Sequence, residues 1–167
     1  RRGAGRERGD GMSAPGVAVL GTGSAGMRHL EALRALGVAP LIAVPARPER
    51  GAAVRAAGWA TAATLAEAAA MGATCAVIAT DTGRHAADAR EALELGMDVL
   101  VEKPLATTAP EARPLVDQAA RLGRRLHVGC VLRGAESLKT FRAWLPELGP
   151  LHAVEVTCGS YLPDWRP

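Results

Sequence analysis

Aromatic side chains are almost missing from this chain. Its 167 residues include three Trp, one Tyr and one Phe, 3% in all, so a core has to be built from Val, Leu, Ile and Ala. Single-stranded nucleic acid is held on interleaved aromatics over a basic groove, and this composition argues against such a partner. Cysteine is equally sparse. Cys75, Cys130 and Cys158 are far apart and make no CxxC pair. That excludes a disulfide scaffold and a zinc ribbon, leaves no metal site to expect, and fits a reducing cytoplasm. No apolar run approaches the roughly 18 residues that cross a bilayer, so no membrane partner is expected.

A real charge surplus is missing as well. The formal net charge is +3, but residues 1–11 (RRGAGRERGDG) hold four Arg against one Glu and one Asp, which accounts for +2. The +1 left for all other residues gives nucleic-acid binding little electrostatic footing. The basic stretch has no apolar segment of the signal-peptide kind, and residues 1–12 are expected to be a disordered leader ending at Met12. What is present is ordinary globular material, 49% hydrophobic and 22% charged, enough for one domain and part of another.

Apolar runs and glycine stops alternate along the chain. Residues 16–20 (GVAVL) suit a buried parallel strand. Residues 25–36 place Leu30, Leu33 and Leu36 near helical spacing, with Gly37 as the stop. A second apolar run covers 41–44. Pro48 can open a helix to about Ala57, stopped by Gly58. Thr64 followed by Glu67 is a capping box for the next helix. Strands follow at 75–79, 98–101 and 126–129. Helices follow at 83–95, capped by Thr82, and at 110–122, capped by Thr107 or Thr108. Five strand–helix alternations with short connections predict a doubly wound parallel sheet. From about residue 131 the rhythm changes: a helix near 136–146 leads through Gly149-Pro150 to an alternating strand at 151–159.

The chemistry-bearing residues sit between these elements. Gly21-Thr22-Gly23-Ser24-Ala25-Gly26 is a GxGxxG placed after the first strand and opening the first helix, the setting its dinucleotide-binding mechanism needs. Gly21 permits the tight turn, Gly23 lets backbone approach a pyrophosphate, and Gly26 allows close helix–strand packing. The first N–H groups of the helix, around Ser24 and Ala25, face the anion. About 20 residues on, an acid normally meets the ribose hydroxyls. Here Ala46 stands near that place with Arg47 beside it. A missing carboxylate and an added guanidinium favour NADP over NAD; the other reading makes Arg47 a solvated loop residue and lets the site take either cofactor. Glu102-Lys103-Pro104 follows a strand at its carboxyl end, where Lys103 can hydrogen-bond a substrate hydroxyl and help move its proton, or can be a plain surface lysine.

Taken together, the GxGxxG, the Thr80-to-His85 segment, Glu102-Lys103-Pro104-Leu105 and the helix and strand after them resemble the Gfo/Idh/MocA oxidoreductase family (glucose–fructose oxidoreductase, inositol dehydrogenase and relatives). The resemblance implies a Rossmann domain over 13–130 and, at 131–167, the incomplete start of an α+β substrate domain. It implies hydride transfer between NAD(P) and a sugar-type hydroxyl or carbonyl, with Lys103 as the catalytic residue. Glu102 and Pro104 would shape that turn beside the cofactor, and Thr80 and Asp81 would lie along the nicotinamide ribose. Asp81 stands where the family usually has proline. His85 matches a family histidine, with packing or capping as its other reading. Arg133 falls in a segment used near substrate, or on the surface. Tyr161, Asp164 and Trp165 are expected to bind substrate, to meet an oligomer partner, or to form a plain loop. A homo-oligomer is implied for a full-length version, through the second domain. The competing expectation is a module that binds nucleotide without turnover.

Overall fold

The structure is a computed structural model that describes residues 15–157 and 159. The leader expected at 1–12 and the positions Tyr161, Asp164 and Trp165 lie outside the described residues. The chain divides between Cys130 and Val131 into two units, and each is taken by itself.

The first unit is a six-stranded parallel sheet. Its strands are β1 (Gly16–Leu20), β2 (Leu41–Val44), β3 (Ala60–Thr61), β4 (Ala73–Ile78), β5 (Asp98–Val101) and β6 (Leu126–Val128), in the spatial order β3-β2-β1-β4-β5-β6. The helices between them are α1 (Ser24–Ala35), α2 (Gly51–Ala56), α3 (Leu65–Ala70), α4 (His85–Glu94) and α5 (Ala109–Arg121). The chain winds outward from β1 to β3, then crosses back to β4 and winds the other way. The reversal puts the switch point between β1 and β4, and ligands of doubly wound sheets bind there, outside the strands' carboxyl ends.

Strand periodicity sorts the core. Ala18, Leu20, Ile42, Val44, Ala76, Ile78, Val99 and Val101 face one side and pack with Leu65, Ala89, Leu93, Leu115 and Ala119 of α3, α4 and α5. Val17, Val19, Ala43 and Val77 face the other and pack with Leu30, Val54 and Trp59. With so few aromatics, the largest fully buried side chains include Leu30, Ile42, Leu65, Ile78, Leu93 and Leu115, each worth roughly 1.5–3 kcal/mol of burial.

The parallel sheet agrees with the alternation of elements in the sequence; the details differ, beginning with the strand expected at 75–79, which is Ala73–Ile78. Pro48 opens a 3₁₀ turn, Pro48–Arg50, before the short α2. The helix expected from Gly83 is also a 3₁₀ turn first, Thr82–Arg84, so that His85 starts α4, and Thr82 caps nothing through its side chain. At α5, Thr108 makes no side-chain cap bond, and Thr107 instead donates its Oγ1 hydroxyl to Glu111 Oε2 at 2.6 Å. The two-residue β3 went unforeseen.

The second unit holds a 3₁₀ turn (Val131–Gly134), α6 (Glu136–Trp144) and a further 3₁₀ turn (Leu145–Leu148), with no residue of α6 buried. The strand expected at 151–159 is absent over 151–157. Alternation alone does not make a strand; it needs a neighbour to hydrogen-bond. No helix among the described residues is long and apolar enough to cross a membrane.

Candidate functional site

The ladder of the sheet runs one residue past β1, β4, β5 and β6 at the carboxyl edge. Gly21 N–H donates to Val44 O (2.9 Å), Ala79 to Leu20 O (2.8 Å), Glu102 to Ile78 O (2.9 Å) and Gly129 to Val101 O (2.7 Å). These bonds align the glycine loop, the turn after β4 and the Glu102 turn in one row across the switch point.

The glycines of the loop do different work. Gly21 has φ +95, and a Cβ on it would meet the Ala79 carbonyl at 2.5 Å, so only glycine turns here against β4. A Cβ on Gly26 would collide with the Gly21 carbonyl. Nothing lies within 4 Å of a Cβ on Gly23; the space over it is open. Gly23 is the N-cap of α1, with no side-chain cap bond and no acid in the first turn. The N–H groups of Ser24, Ala25 and Gly26 therefore open this twelve-residue helix without an intrahelical partner. Beside them, the hydroxyl of Thr22 is buried and has no hydrogen-bond partner, an uncommon state for a buried polar atom. Uncapped donors, an orphaned hydroxyl and clear space over Gly23 fit the phosphates of a dinucleotide.

Over β4 and β5 the turns are tied down. His85 is 2% exposed; its Nδ1 stands 2.6 Å from the Pro104 carbonyl oxygen and its Nε2 3.0 Å from that of Thr80. Thr80 donates its hydroxyl to Asp88 Oδ2 (2.7 Å), and Arg84 Nη2 donates to Asp88 Oδ1 (3.0 Å). Glu102 meets His29 of α1, Nε2 to Oε1, at 2.8 Å. Lys103 is exposed at the end of β5, joined to Pro104 by a cis peptide, and Asp81 is exposed at the end of β4.

Beyond β2 and β3, Pro45, Pro48, Gly51, Arg55, Thr61 and Glu67 are among the residues around a cavity of about 280 Å³. Ala46 is half-buried nearby, and Arg47 is exposed at the head of the 3₁₀ turn. Arg55 reaches Thr61 Oγ1 at 3.3 Å. The carboxyl edge of the first unit thus brings together Gly21 to Gly26, Ala46, Arg47, Thr80, Asp81, His85 and Glu102 to Pro104. Arg133 belongs to the second unit.

Thr22, His29, Arg55 and Asp88 were not singled out by sequence reasoning. One signal existed for His29: it lies three residues after Gly26 and so shares a helix face with it. Nothing in the spacing announced its partner 73 residues away.

Residues 16–130 match the family described as an oxidoreductase family with an NAD-binding Rossmann fold. The curated myo-inositol dehydrogenase Hyg17 of Streptomyces leeuwenhoekii is 36% identical over 115 residues, 68% of this chain and 35% of that one. Among solved structures, the WlbA dehydrogenase of Bordetella pertussis, in complex with NADH and UDP-GlcNAcA, has a TM-score of 0.72 at 28% identity, over 80% of this chain and 41% of that one. GenD2 from gentamicin A biosynthesis, in complex with NAD, has a TM-score of 0.61 at 32% identity, over 75% and 37%. The chain spans 35% of the curated relative's length and 37–41% of these two structures. Because the matched stretch runs from β1 to the end of the first unit and makes up well over half of the chain, this protein belongs to the Gfo/Idh/MocA oxidoreductase family.

Proposed function

We propose that the first unit binds NAD(P) across its carboxyl edge and serves hydride transfer at a hydroxyl or carbonyl of a sugar or sugar derivative. The observation that carries this reading is the mouth of α1: unpaired helix N–H groups, the partnerless Thr22 hydroxyl and open space over Gly23, all at the switch point. These donors would hold the pyrophosphate, the residues around the cavity beyond β2 and β3 the adenosine half, and Thr80, Asp81 and Glu102 the nicotinamide half. Once bound, the nicotinamide supplies the hydride donor or acceptor. Lys103, exposed at the end of β5, hydrogen-bonds the reacting oxygen and takes or returns its proton. The family's relatives include an inositol dehydrogenase and a dehydrogenase held with a nucleotide sugar, which supports a polyhydroxylated ring as substrate.

NADP is the favoured cofactor in this reading. No carboxylate stands at Ala46, and Arg47 is free to turn toward a 2′-phosphate from an exposed position. A reducing cytoplasm suits the thiols of Cys75 and Cys130.

Fluorescence titration with NADPH and NADH tests the binding claim. Saturable binding is expected, about tenfold tighter for NADPH, with the gap closing in Arg47→Ala. Absence of binding to either overturns the reading. Where oxidation of inositol or a nucleotide sugar is measurable, Lys103→Ala lowers it at least about 100-fold while cofactor affinity stays within about threefold. Binding with no turnover of any such ring favours a module that only holds nucleotide.

A further inference from the structure

Lys103 is exposed, yet its two chain neighbours are anchored from opposite faces of the sheet. From the α4 side, His85 stands 2.6 Å from the Pro104 carbonyl and 3.0 Å from the Thr80 carbonyl. From the α1 side, His29 stands 2.8 Å from Glu102 Oε1, and the other Glu102 oxygen accepts the Lys103 backbone N–H at 3.3 Å. We propose that His85, helped by His29, is a positioning residue that locks the Lys103 turn to the turn after β4, so that the groups facing the nicotinamide half of the cofactor move as one body. This rests on the nucleotide-binding reading above.

A core-filling role accounts for less. A leucine fills such a volume without desolvating two ring nitrogens, and burying polar atoms is unfavourable unless they are bonded. Both groups opposite the ring are carbonyl oxygens, which only accept, so the one N–H of a neutral ring bonds one of these turns while the other ring nitrogen packs against the second. The turns lie 5 and 19 residues away in sequence, and neither is held to the other by a sheet bond at those carbonyls. Thr80 is fixed a second time through Asp88, which Arg84 also engages. The arrangement leaves the Lys103 backbone held and its side chain outward, as a group that must meet a reacting oxygen requires.

The test compares NADH with ADP-ribose, which keeps the adenosine and pyrophosphate and lacks the nicotinamide. It uses the full chain carrying His85→Phe, which fills the space without bonding, or His85→Gln, which keeps an N–H donor. Amide hydrogen exchange at Lys103 is followed alongside, without ligand. In His85→Phe, NADH affinity is expected to fall about tenfold, the loss of one hydrogen bond, with ADP-ribose affinity within about twofold of wild type. Lys103 exchange should quicken by a similar factor while Val19 and Val99 in the core stay unchanged. His85→Gln recovers most of both, and His29→Ala gives the same pattern at about threefold, keeping the test alive if His85→Phe does not fold. An equal loss of NADH and ADP-ribose, or unchanged Lys103 exchange in the histidine variants, overturns the proposal. Wild-type chain that binds neither ligand overturns the nucleotide reading and this proposal's cofactor clause together; the exchange measurement then still judges the grip on the turn.

Discussion

The two edges of the sheet are finished in opposite ways. At the amino edge each helix is closed before the next strand begins. Gly96 is typical: at φ +75 it turns the chain out of α4, its N–H donates to Leu93 O, and the Met97 N–H donates to Ala92 O, both at 3.0 Å. The same pair of bonds closes α1, α2 and α5. At the carboxyl edge the mouth of α1 is left open, Thr22 has no partner, and Lys103 points outward. Not every helix start is open: Thr64 Oγ1 accepts the Glu67 N–H at 3.1 Å, and Glu67 Oε2 accepts the Ala63 N–H at 2.7 Å. The chain therefore has the means to cap a helix and does so at α3. A missing side-chain cap is common to α1, α2, α4, α5 and α6; what sets α1 apart is that no 3₁₀ turn leads into it and no acid stands in its first turn, and on the proposed reading a ligand fills that place.

Substitutions that treat the two edges alike break this comparison. The largest effect is expected from Gly26→Ala. Its Cβ enters the space of the Gly21 carbonyl, which is backbone and cannot step aside. A loss of about 2–3 kcal/mol is expected on denaturant unfolding, and cofactor binding goes with it. Gly23→Val should separate the two roles. Its Cβ meets nothing within 4 Å, and the residue's φ of −74 suits any side chain. Stability should hold within about 0.5 kcal/mol while NAD(P) affinity falls at least about 100-fold. If Gly23→Val unfolds the chain, or binds cofactor normally, the open mouth of α1 is not a phosphate site.

The elements of both edges, and most residues of the open one, were readable in the sequence; the pairings that anchor the open edge were not, for a physical reason. A strand or helix announces itself by periodicity, and its end by a glycine, within ten or fifteen neighbouring residues. Gly21 to Gly26 were legible because that motif is also local. The anchors of the site are not. His29 with Glu102, and His85 with Pro104, join residues 73 and 19 apart, and only the sheet order makes them meet. Ala60–Thr61 was missed because two residues carry no period. Residues 151–157 alternate but form no strand, because alternation needs a partner strand to hydrogen-bond.

At the closed edge, Gly96→Ala should cost about 1 kcal/mol, the strain of a Cβ at positive φ, since nothing lies within 4 Å to collide with it. Tm is expected to fall by about 3–6 °C. Cofactor affinity should not change, because the substitution sits at the other end of α4 from His85. A drop in affinity at unchanged Tm would mean that the edges are coupled more tightly than their construction suggests.

The smallest effect comes from Asp98, also at the amino edge. Its Oδ1 accepts the Arg125 backbone N–H at 2.8 Å and its Oδ2 the Arg125 guanidinium N–H at 2.7 Å. First the backbone N–H and then the guanidinium hold the Asp98 carboxyl below its ordinary value, against the opposing pull of burial. The folded chain therefore takes up this proton less readily than the unfolded chain. The contribution is present above the unfolded value of about 3.9 and is lost as pH falls through the lower folded value. Arg125 is largely exposed and water screens the pair, so Asp98→Asn should lower Tm by only about 1–2 °C at pH 7. That gap should close as pH falls below the ordinary carboxylate range. Cofactor affinity at pH 7 should match wild type, because the pair joins β5 to β6 at the edge away from Lys103. A gap that persists in acid means that shape, not charge, fastens these strands, and a change in affinity means that the amino edge helps to set the position of the Lys103 turn.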